Sequence, residues 1–457
     1  MNTRMFLSAF AAAALAMGGS AAAVAASSQG QGFGHYTEDN SPTGDAVVDA
    51  SFNPYAKSMP SFEGYKPGMV INQSNVDQFK SILTNAQYLV IKKGWYKMHT
   101  IPTFSMMLPK SFREATKADY KNVKIDPKTG NLDGYVAGRP FPEDPSKDDP
   151  QAGLKLAWNF QHGLNWGDNG TIKPFYFNYR DLQSGSLDRT VQLAYHTINF
   201  MHRFQNPPIP NIEPNPAGIY RAIYLRVSEP NALRNTQLLI QRHEDDRRQD
   251  SDFIYLGFQR RVRRLPAAQT TDSFLGSDLM IQDFEGYNDR VGAMKWTYLG
   301  TKYVMTPLYR HNKLKLSNEH PADGYHFVAF GGQGQCFPNI NWQLRKVYIL
   351  EGVPVSKSSP IGKRIIYMDA QTGALPQTDI YDKKGQLWKD WTIGKTDPDY
   401  QLPGNKGSGI PIDDSFFMVD LEAKHCTTGQ FKGRVNAEEN PPSMFTTQHM
   451  RNVGGGN

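Results

Sequence analysis

The sequence has two cysteines in 457 residues, Cys336 and Cys426. That excludes a disulfide-dense scaffold. Past the N-terminal leader it lacks any uninterrupted run of 18 apolar residues, so no later segment reads as a membrane-spanning helix. A strong charge of either sign is missing too. Lys and Arg number 50 against 44 Asp and Glu, a net +6. Most of the basic residues are spread along the chain, whereas a nucleic-acid-binding protein concentrates them on one face. Fixed-spacing catalytic signatures are absent. There is no G-x-S-x-G elbow, and the glycines of Gly331–Gln335 are not followed by the Lys-Ser/Thr of a phosphate-binding loop.

Aromatic and turn residues are plentiful instead: 25 Phe, 22 Tyr, 40 Gly and 30 Pro. This load excludes disorder throughout and favours strands and turns over long helices. A mean hydropathy of -0.56 is too polar for a multi-span membrane protein. The first residues read as a signal peptide over 1–26. Arg4 precedes an apolar stretch from Met5 to Met17, followed by small residues and an Ala-Val-Ala site at Ala23 to Ala25. The expectation is an exported protein of the periplasm. In that oxidising compartment Cys336 and Cys426 either pair across a loop of about 90 residues or stand as separate thiols.

Five stretches follow from the patterning. After the signal, residues 27–60 form a flexible lead-in rich in Gly, Ser, Asn and Pro. Residues 61–165 are a helical and irregular segment that packs on a sheet. Ser74 caps one helix there, with Val76, Phe79, Leu83, Ala86 and Val90 at helical spacing and Gly94 ending the run. A second helix falls near 150–164. From about 170 to 395 the period becomes two. Strands are predicted over 172–180, 189–201, 219–228, 235–243, 252–264, 296–304, 342–350, 362–369 and 375–392. Residues 396–457 are a polar C-terminal extension with one strand or helix near 413–424, and Gly454 to Asn457 should be disordered. The fold class is α+β: one large, strongly curved antiparallel sheet with helices on one face.

The most distinctive stretch is Phe253–Leu265, read as a single strand. Ile254, Leu256, Phe258 and Val262 then share one face with Arg260 and Arg264, and Arg261 and Arg263 take the other. Four arginines within five residues repel one another unless anions or carboxylates neutralise them. Asp272, Asp278 and Asp283 could do so from the next loop. In the alternative, the cluster receives an anionic headgroup at the mouth of an apolar cavity, or a partner protein. The following loop carries Phe274, Gly276, Asp278 and Asp283.

The run "FIYLGFQRRVRRL…DSFLGSDLMIQDF" resembles the signature of LolA-like outer-membrane lipoprotein-sorting proteins. "GYKPG" at 64–68, "AGRPFP" at 137–142, "GLKLAWNFQHGL" at 153–164 and "IIYMDAQTGALPQTDIYDKKGQLWK" at 365–389 resemble the bacterial domain-of-unknown-function 1329 family. The resemblance implies an incomplete β-barrel with helices packed on its concave side and an apolar interior. It also implies a non-enzymatic carrier or chaperone without a cofactor. Its ligand would be a lipid or other hydrophobic molecule, and its partner an RND-type exporter or outer-membrane protein. Ile254, Leu256, Phe258, Val262, Arg261 and Arg263 are the expected ligand-binding residues. Two other readings stand beside this one: a periplasmic hydrolase, and an envelope scaffold without ligand. The hydrolase rests on histidines of shared strand parity, His196 with His202 and His320 with His326, and on unassigned carboxylates.

Overall fold

The computed structural model describes residues 41–319, 323–435 and 439–455; the apolar leader and His320 lie outside them. Its frame is one large antiparallel sheet. The long strands are β1 (Asn169–Asp181), β2 (Leu187–Asn199), β3 (Ile219–Glu229), β4 (Gln237–His243), β5 (Ser251–Leu256), β6 (Arg261–Arg264) and β7 (Met294–Thr306). They continue as β8 (Asn341–Pro354), β9 (Ile361–Asp369), β10 (Gln377–Asp382), β11 (Leu387–Thr396), β12 (Ile412–Asp420) and β13 (His425–Arg434).

β1 to β6 form one meander and β7 to β13 a second. They join where β13 pairs with β1, Phe431 opposite Phe175 and Gly429 opposite Phe177. Two short strands, Val70–Ile71 and Met98–Thr100, first pair beside β8; the long strands then start mid-sheet at β1, run to the edge at β6, and cross to β7. Among the described residues β6 and β7 do not pair with each other, so the sheet is not closed.

The run over 253–265 proves to be a hairpin rather than one strand. Gly257 to Arg260 make the turn, with Arg260 in the left-handed region at φ +50°. β6 then folds back on β5, with Arg261 opposite Leu256 and Arg263 opposite Ile254. The stretch 375–392 likewise divides into β10 and β11 around Gly385.

β12 and β13 lie within the stretch read as a polar extension. All nine positions of β12 are buried, as are eight of the ten in β13. A strand covered on both sides has no solvent face, so its sequence does not alternate. Asp413 and Asp414 can sit there because Lys395 and His311 meet them.

Five short helices accompany the sheet. α1 (Ala46–Phe52) lies inside the expected lead-in, and the Asp45 side chain caps it by accepting from the N–H groups of Val47 and Val48. The run from Ser74 to Gly94 is not one helix. It is a 3-10 segment, Val76–Ile82, followed by α2 (Asn85–Lys92), which starts at a Thr84/Gln87 capping box. Leu83 is extended between them. α3 (Lys110–Asp119), α4 (Ala152–Gln161) and α5 (Thr447–Gly455) complete the set. Gly454, expected to be disordered, is helical in α5. A Cβ there would lie 2.3 Å from Tyr255 Cζ, so glycine lets the helix close on β5.

Side chains from both meanders converge on one apolar cluster. Phe175, Phe177, Leu193, Tyr195, Ile223 and Leu225 meet Trp391, Ile393, Phe416 and Phe431 there, and α1 and α3 add Phe52 and Phe112. The rings interlock edge to face: Phe175 to Phe431 at 4.3 Å, Phe177 to Phe416 at 5.2 Å, Trp391 to Phe416 at 5.0 Å. Phe417 and Val419 point the other way and are covered by Val76, Phe79, Val90 and Ile91. Cys336 and Cys426 are bonded in this second cluster, fastening the loop before β8 to β13.

Candidate functional site: the inner face and the segment that fills it

The crossover from β6 to β7 spans Leu265 to Ala293 and runs through the cluster on which both meanders converge. Phe274, Leu279, Met280, Ile281 and Phe284 are buried in it. Phe274 packs on Phe284 with ring centroids 5.2 Å apart. The remaining void, lined by Trp166, Phe175, Tyr195, Phe284, Glu285 and Trp391, measures about 40 Å³. That admits water but is far smaller than the ~300–1,000 Å³ typical of a site for a small-molecule ligand. The interior is apolar, as the sequence suggested, but the chain's own crossover occupies it.

Local conformation fits the crossover to this task. Leu275 and Gly276 both take left-handed φ values, +53° and +75°, which turns the chain sharply between Phe274 and Asp278. The Phe274 N–H then donates to the Leu279 carbonyl at 2.8 Å. Glu285 and Gly286 make a second left-handed bend. A Cβ on Gly286 would lie 2.7 Å from the Leu375 Cβ, so the backbone passes close there.

Polar ties fix the crossover to strands on both sides. Asp283 and Arg364 of β9 form an ion pair at 2.6 Å with neither side chain exposed. The other Asp283 oxygen accepts the Met280 N–H at 2.8 Å. Arg364 Nε and Nη1 have no hydrogen-bond partner. Glu285 accepts from Tyr195 of β2 and from Arg221 of β3, the latter at 2.7 Å. Asp278 accepts from Thr427 at 2.7 Å and bonds His425 at 2.8 Å, both on β13, while Lys389 of β11 donates to its carbonyl at 2.6 Å.

Burial sets the electrostatics of these groups. It raises the Tyr195 phenol well above its ordinary range, and the Glu285 carboxylate adds to the effect. It also raises the Asp413 carboxyl, against the pull of the adjoining Lys395 ammonium. His425 is raised chiefly by its hydrogen bond to Asp278, with Asp188 contributing from the other ring nitrogen.

The ligand-binding residues named from the sequence divide: Ile254 lies opposite Leu238 of the inner cluster, whereas Phe258 and Val262 lie off that face. Phe258 does not face the interior: it sits in the turn of the β5–β6 hairpin and is 79% exposed. The turn ends strand alternation at Gly257, which is why parity failed beyond it. Val262 pairs with Tyr255 and packs in the cluster under α5, not beside Ile254 and Leu256. Ile254 and Leu256 are half-buried and face the same way as Arg263 and Arg261, which are exposed. None of Arg260, Arg261, Arg263 and Arg264 forms an ion pair with a described residue. Asp278 and Asp283 are committed to the interior, so they do not neutralise the cluster. Of the loop residues, Phe274 packs in the inner cluster, Gly276 makes the bend, and Asp278 and Asp283 tie the crossover to β13 and β9 respectively.

Tyr195, Arg221, Glu285 and Arg364 carry most of the interior's polar chemistry, and sequence reasoning missed them. One signal was available: Asp283 and Glu285 flank Phe284 just after the apolar run Leu279–Ile281, where an acid needs a buried partner.

Titratable groups also meet outside the interior. A cavity of about 370 Å³ between β5, the crossover and the end of β8 is lined by Asp250, Asp252 and Asp289. Asp252 is pushed up to about 7, chiefly by burial and next by the Asp250 carboxylate. A second cavity, about 260 Å³, is lined by His162, His243, Glu244 and Asp246. His162 is held well below its usual range by burial and by neighbouring His202, which itself bonds Glu244 at 2.8 Å. His196 bonds Asn440 instead, so His196 and His202 do not form a pair. Among the described residues no group of three His, Cys, Asp or Glu could hold a metal ion, and no helix is long and apolar enough to cross a membrane.

One large, mainly antiparallel sheet that is not closed, with an apolar face filled by the chain's own crossover, defines the class. The chain belongs to the family of proteins of unknown function DUF1329, whose model matches residues 70–451. It is 26% identical over 350 residues to the uncharacterized protein PA3922 of Pseudomonas aeruginosa, covering 74% of this chain and 70% of that one. Among solved structures it is similar to a putative outer membrane lipoprotein-sorting protein domain from Vibrio parahaemolyticus. The TM-score is 0.45 and the identity 15%, over 66% of this chain and 100% of that one. It is also similar to a DUF1329 family protein from Desulfovibrio piger, with TM-score 0.44 and identity 16% over 66% and 99% of the two chains.

Proposed function

We propose that the protein is a periplasmic, non-enzymatic carrier or chaperone for a lipid or other hydrophobic molecule, loaded on the inner face by displacement of the crossover. The observation that carries this reading is an aromatic inner face from both meanders, covered by a loop-built segment rather than by regular structure. The energetics are balanced enough for exchange. Re-exposing Phe274, Leu279, Met280, Ile281 and Phe284 costs about 8–15 kcal/mol, at ~1.5–3 kcal/mol each. A sixteen-carbon acyl chain returns about 13 kcal/mol, at ~0.8 per methylene. Envelope partners such as an RND-type exporter or an outer-membrane protein would supply or receive the cargo.

Native mass spectrometry of protein purified gently from periplasm tests this, with solvent extraction of bound material. The expected result is a lipid-sized adduct whose occupancy changes when the Asp283–Arg364 tie is removed. A clean apo mass, with no uptake from an envelope lipid extract by either form, would overturn the carrier reading and favour a scaffold.

A hydrolase is the second reading, favoured by the cavity at Asp250, Asp252 and Asp289. Burial raises both Asp252 and Asp289, and acid–base hydrolysis needs a carboxyl that can hold a proton near neutral pH. Turnover of p-nitrophenyl esters or glycosides by the native protein, lost in Asp252→Asn, would support it. Equal background rates for the two would dismiss it.

A further inference from the structure

The β5–β6 hairpin carries a feature the carrier reading does not use. At its tip Phe258 is the most exposed large apolar side chain among those described, at 79%. Arg260 follows it in the turn, and Arg261, Arg263 and Arg264 run down β6 to the hairpin's base, where Arg264 lies opposite Phe253; all four are exposed. Arg234, exposed in the β3–β4 loop, joins them: a Cβ on Gly257 would touch the Arg234 carbonyl oxygen at 2.5 Å, so the two loops abut. None of the five makes an ion pair with a described residue. Of the acids flanking the hairpin in sequence, Asp252 interacts electrostatically with Arg264, at the hairpin's base.

The base of the hairpin is held firmly. Tyr255 is buried against α5, and Gly454 lets that helix approach. The tip is therefore presented on a fixed mount. β6 is also a sheet edge, and its arginines discourage another strand from pairing there.

We propose that this hairpin docks on an anionic lipid bilayer, with Phe258 entering the headgroup–acyl boundary and the arginines engaging lipid phosphates. Charge complementarity selects this occupant. Arg234, Arg260, Arg261 and Arg263, guanidinium groups that make no ion pair with a described residue, suit a surface of phosphates, which arginine binds bidentately. A single exposed aromatic ring among them matches an interface that is apolar within and charged at its rim. A protein groove would call for a broader apolar patch than one ring. The proposal stands independently of the carrier reading, since it concerns only surface residues.

The test is co-sedimentation of the mature protein with vesicles of phosphatidylglycerol mixed into phosphatidylcholine, against pure phosphatidylcholine. Binding is expected on the anionic vesicles and to weaken as salt rises. Each Arg→Gln change should weaken it about fivefold, and the changes at 260, 261, 263 and 264 together several hundredfold. Phe258→Ser should weaken it about tenfold. A Phe258→Trp variant should shift its emission to the blue on anionic vesicles only. All these positions are exposed, so far-UV circular dichroism should be unchanged. Equal sedimentation with both vesicle types, or none with either, would overturn the proposal. So would anionic binding that is the same in Phe258→Ser and gives no blue shift in Phe258→Trp, since that describes a basic patch without insertion.

Discussion

Replacing Asp283 by Leu should cost the fold about 3–5 kcal/mol, although a carboxylate has been exchanged for an apolar group in an apolar place. The reason lies with its partner. Arg364 is fully buried, and its Nη2 reaches only Asp283 at 2.6 Å and Gln282 at 3.3 Å. Its Nε and Nη1 bond nothing. Without Asp283 the guanidinium is an uncompensated charge in the interior, and breaking a buried pair in this way typically costs 3–5 kcal/mol. Removing both charges is different. Asp283→Leu with Arg364→Met takes away the desolvation penalty along with the attraction, so the double variant should equal or exceed the parent in stability. The assay is urea denaturation followed by tryptophan fluorescence, comparing midpoints at constant slope. A single variant that loses less than about 1 kcal/mol, or a double variant as unstable as the single, would refute the reasoning. If the double variant is stable yet loads ligand differently, the pair serves to hold the crossover rather than to hold the fold.

Three further outcomes are expected. Reducing Cys336–Cys426, or replacing both by Ser, frees a 90-residue separation and should cost about 4–5 kcal/mol in the chain-entropy model, a fall of roughly 5 °C in Tm by calorimetry. His425→Gln should lower Tm by a few degrees at pH 5.5 and hardly at pH 9. The folded imidazole is raised, chiefly by its bond to Asp278, so its contribution is full below the unfolded value of about 6.5 and is lost as pH rises through the folded value; equal effects at the two pH values would contradict this. Gly429→Ala should destabilise by about 1–3 kcal/mol, because its Cβ would fall 2.1 Å from the Phe416 ring at the junction of the two meanders. A chemical midpoint unchanged by that substitution would mean the junction is packed otherwise.

Alternation of apolar residues located β1 to β4 and β7 to β9 closely, because each exposes part of one face or ends at a clear turn. It failed where the physics behind it fails. β12 is buried on both sides and reads Ile-Asp-Asp-Ser-Phe-Phe-Met-Val-Asp, with no polar face to mark it. α3 reads Lys-Ser-Phe-Arg-Glu-Ala-Thr-Lys-Ala-Asp, and its single large apolar residue, Phe112, gave no stripe to recognise. The hairpin at Phe258 was misread because Leu256 to Val262 keeps its alternation through the turn. The crossover was legible as a motif, Phe274 to Asp283, but not as a plug. Its partners Tyr195, Arg221, Arg364 and Thr427 come from four strands, and only the sheet order brings them together.

The junction of β13 with β1 also bears on how the chain reaches its native state. Phe175 must find Phe431, and Phe177 must find Gly429, across about 250 intervening residues. Loop closure over that length comes late, and folding dominated by such pairings is slow. Until residue 434 is available, β1 and β12 are both unpaired edges, each rich in aromatic residues and open to wrong partners. A chain built this way stays incompletely folded for longer after synthesis. The sheet is complete only when its last strand slots between the first and the twelfth.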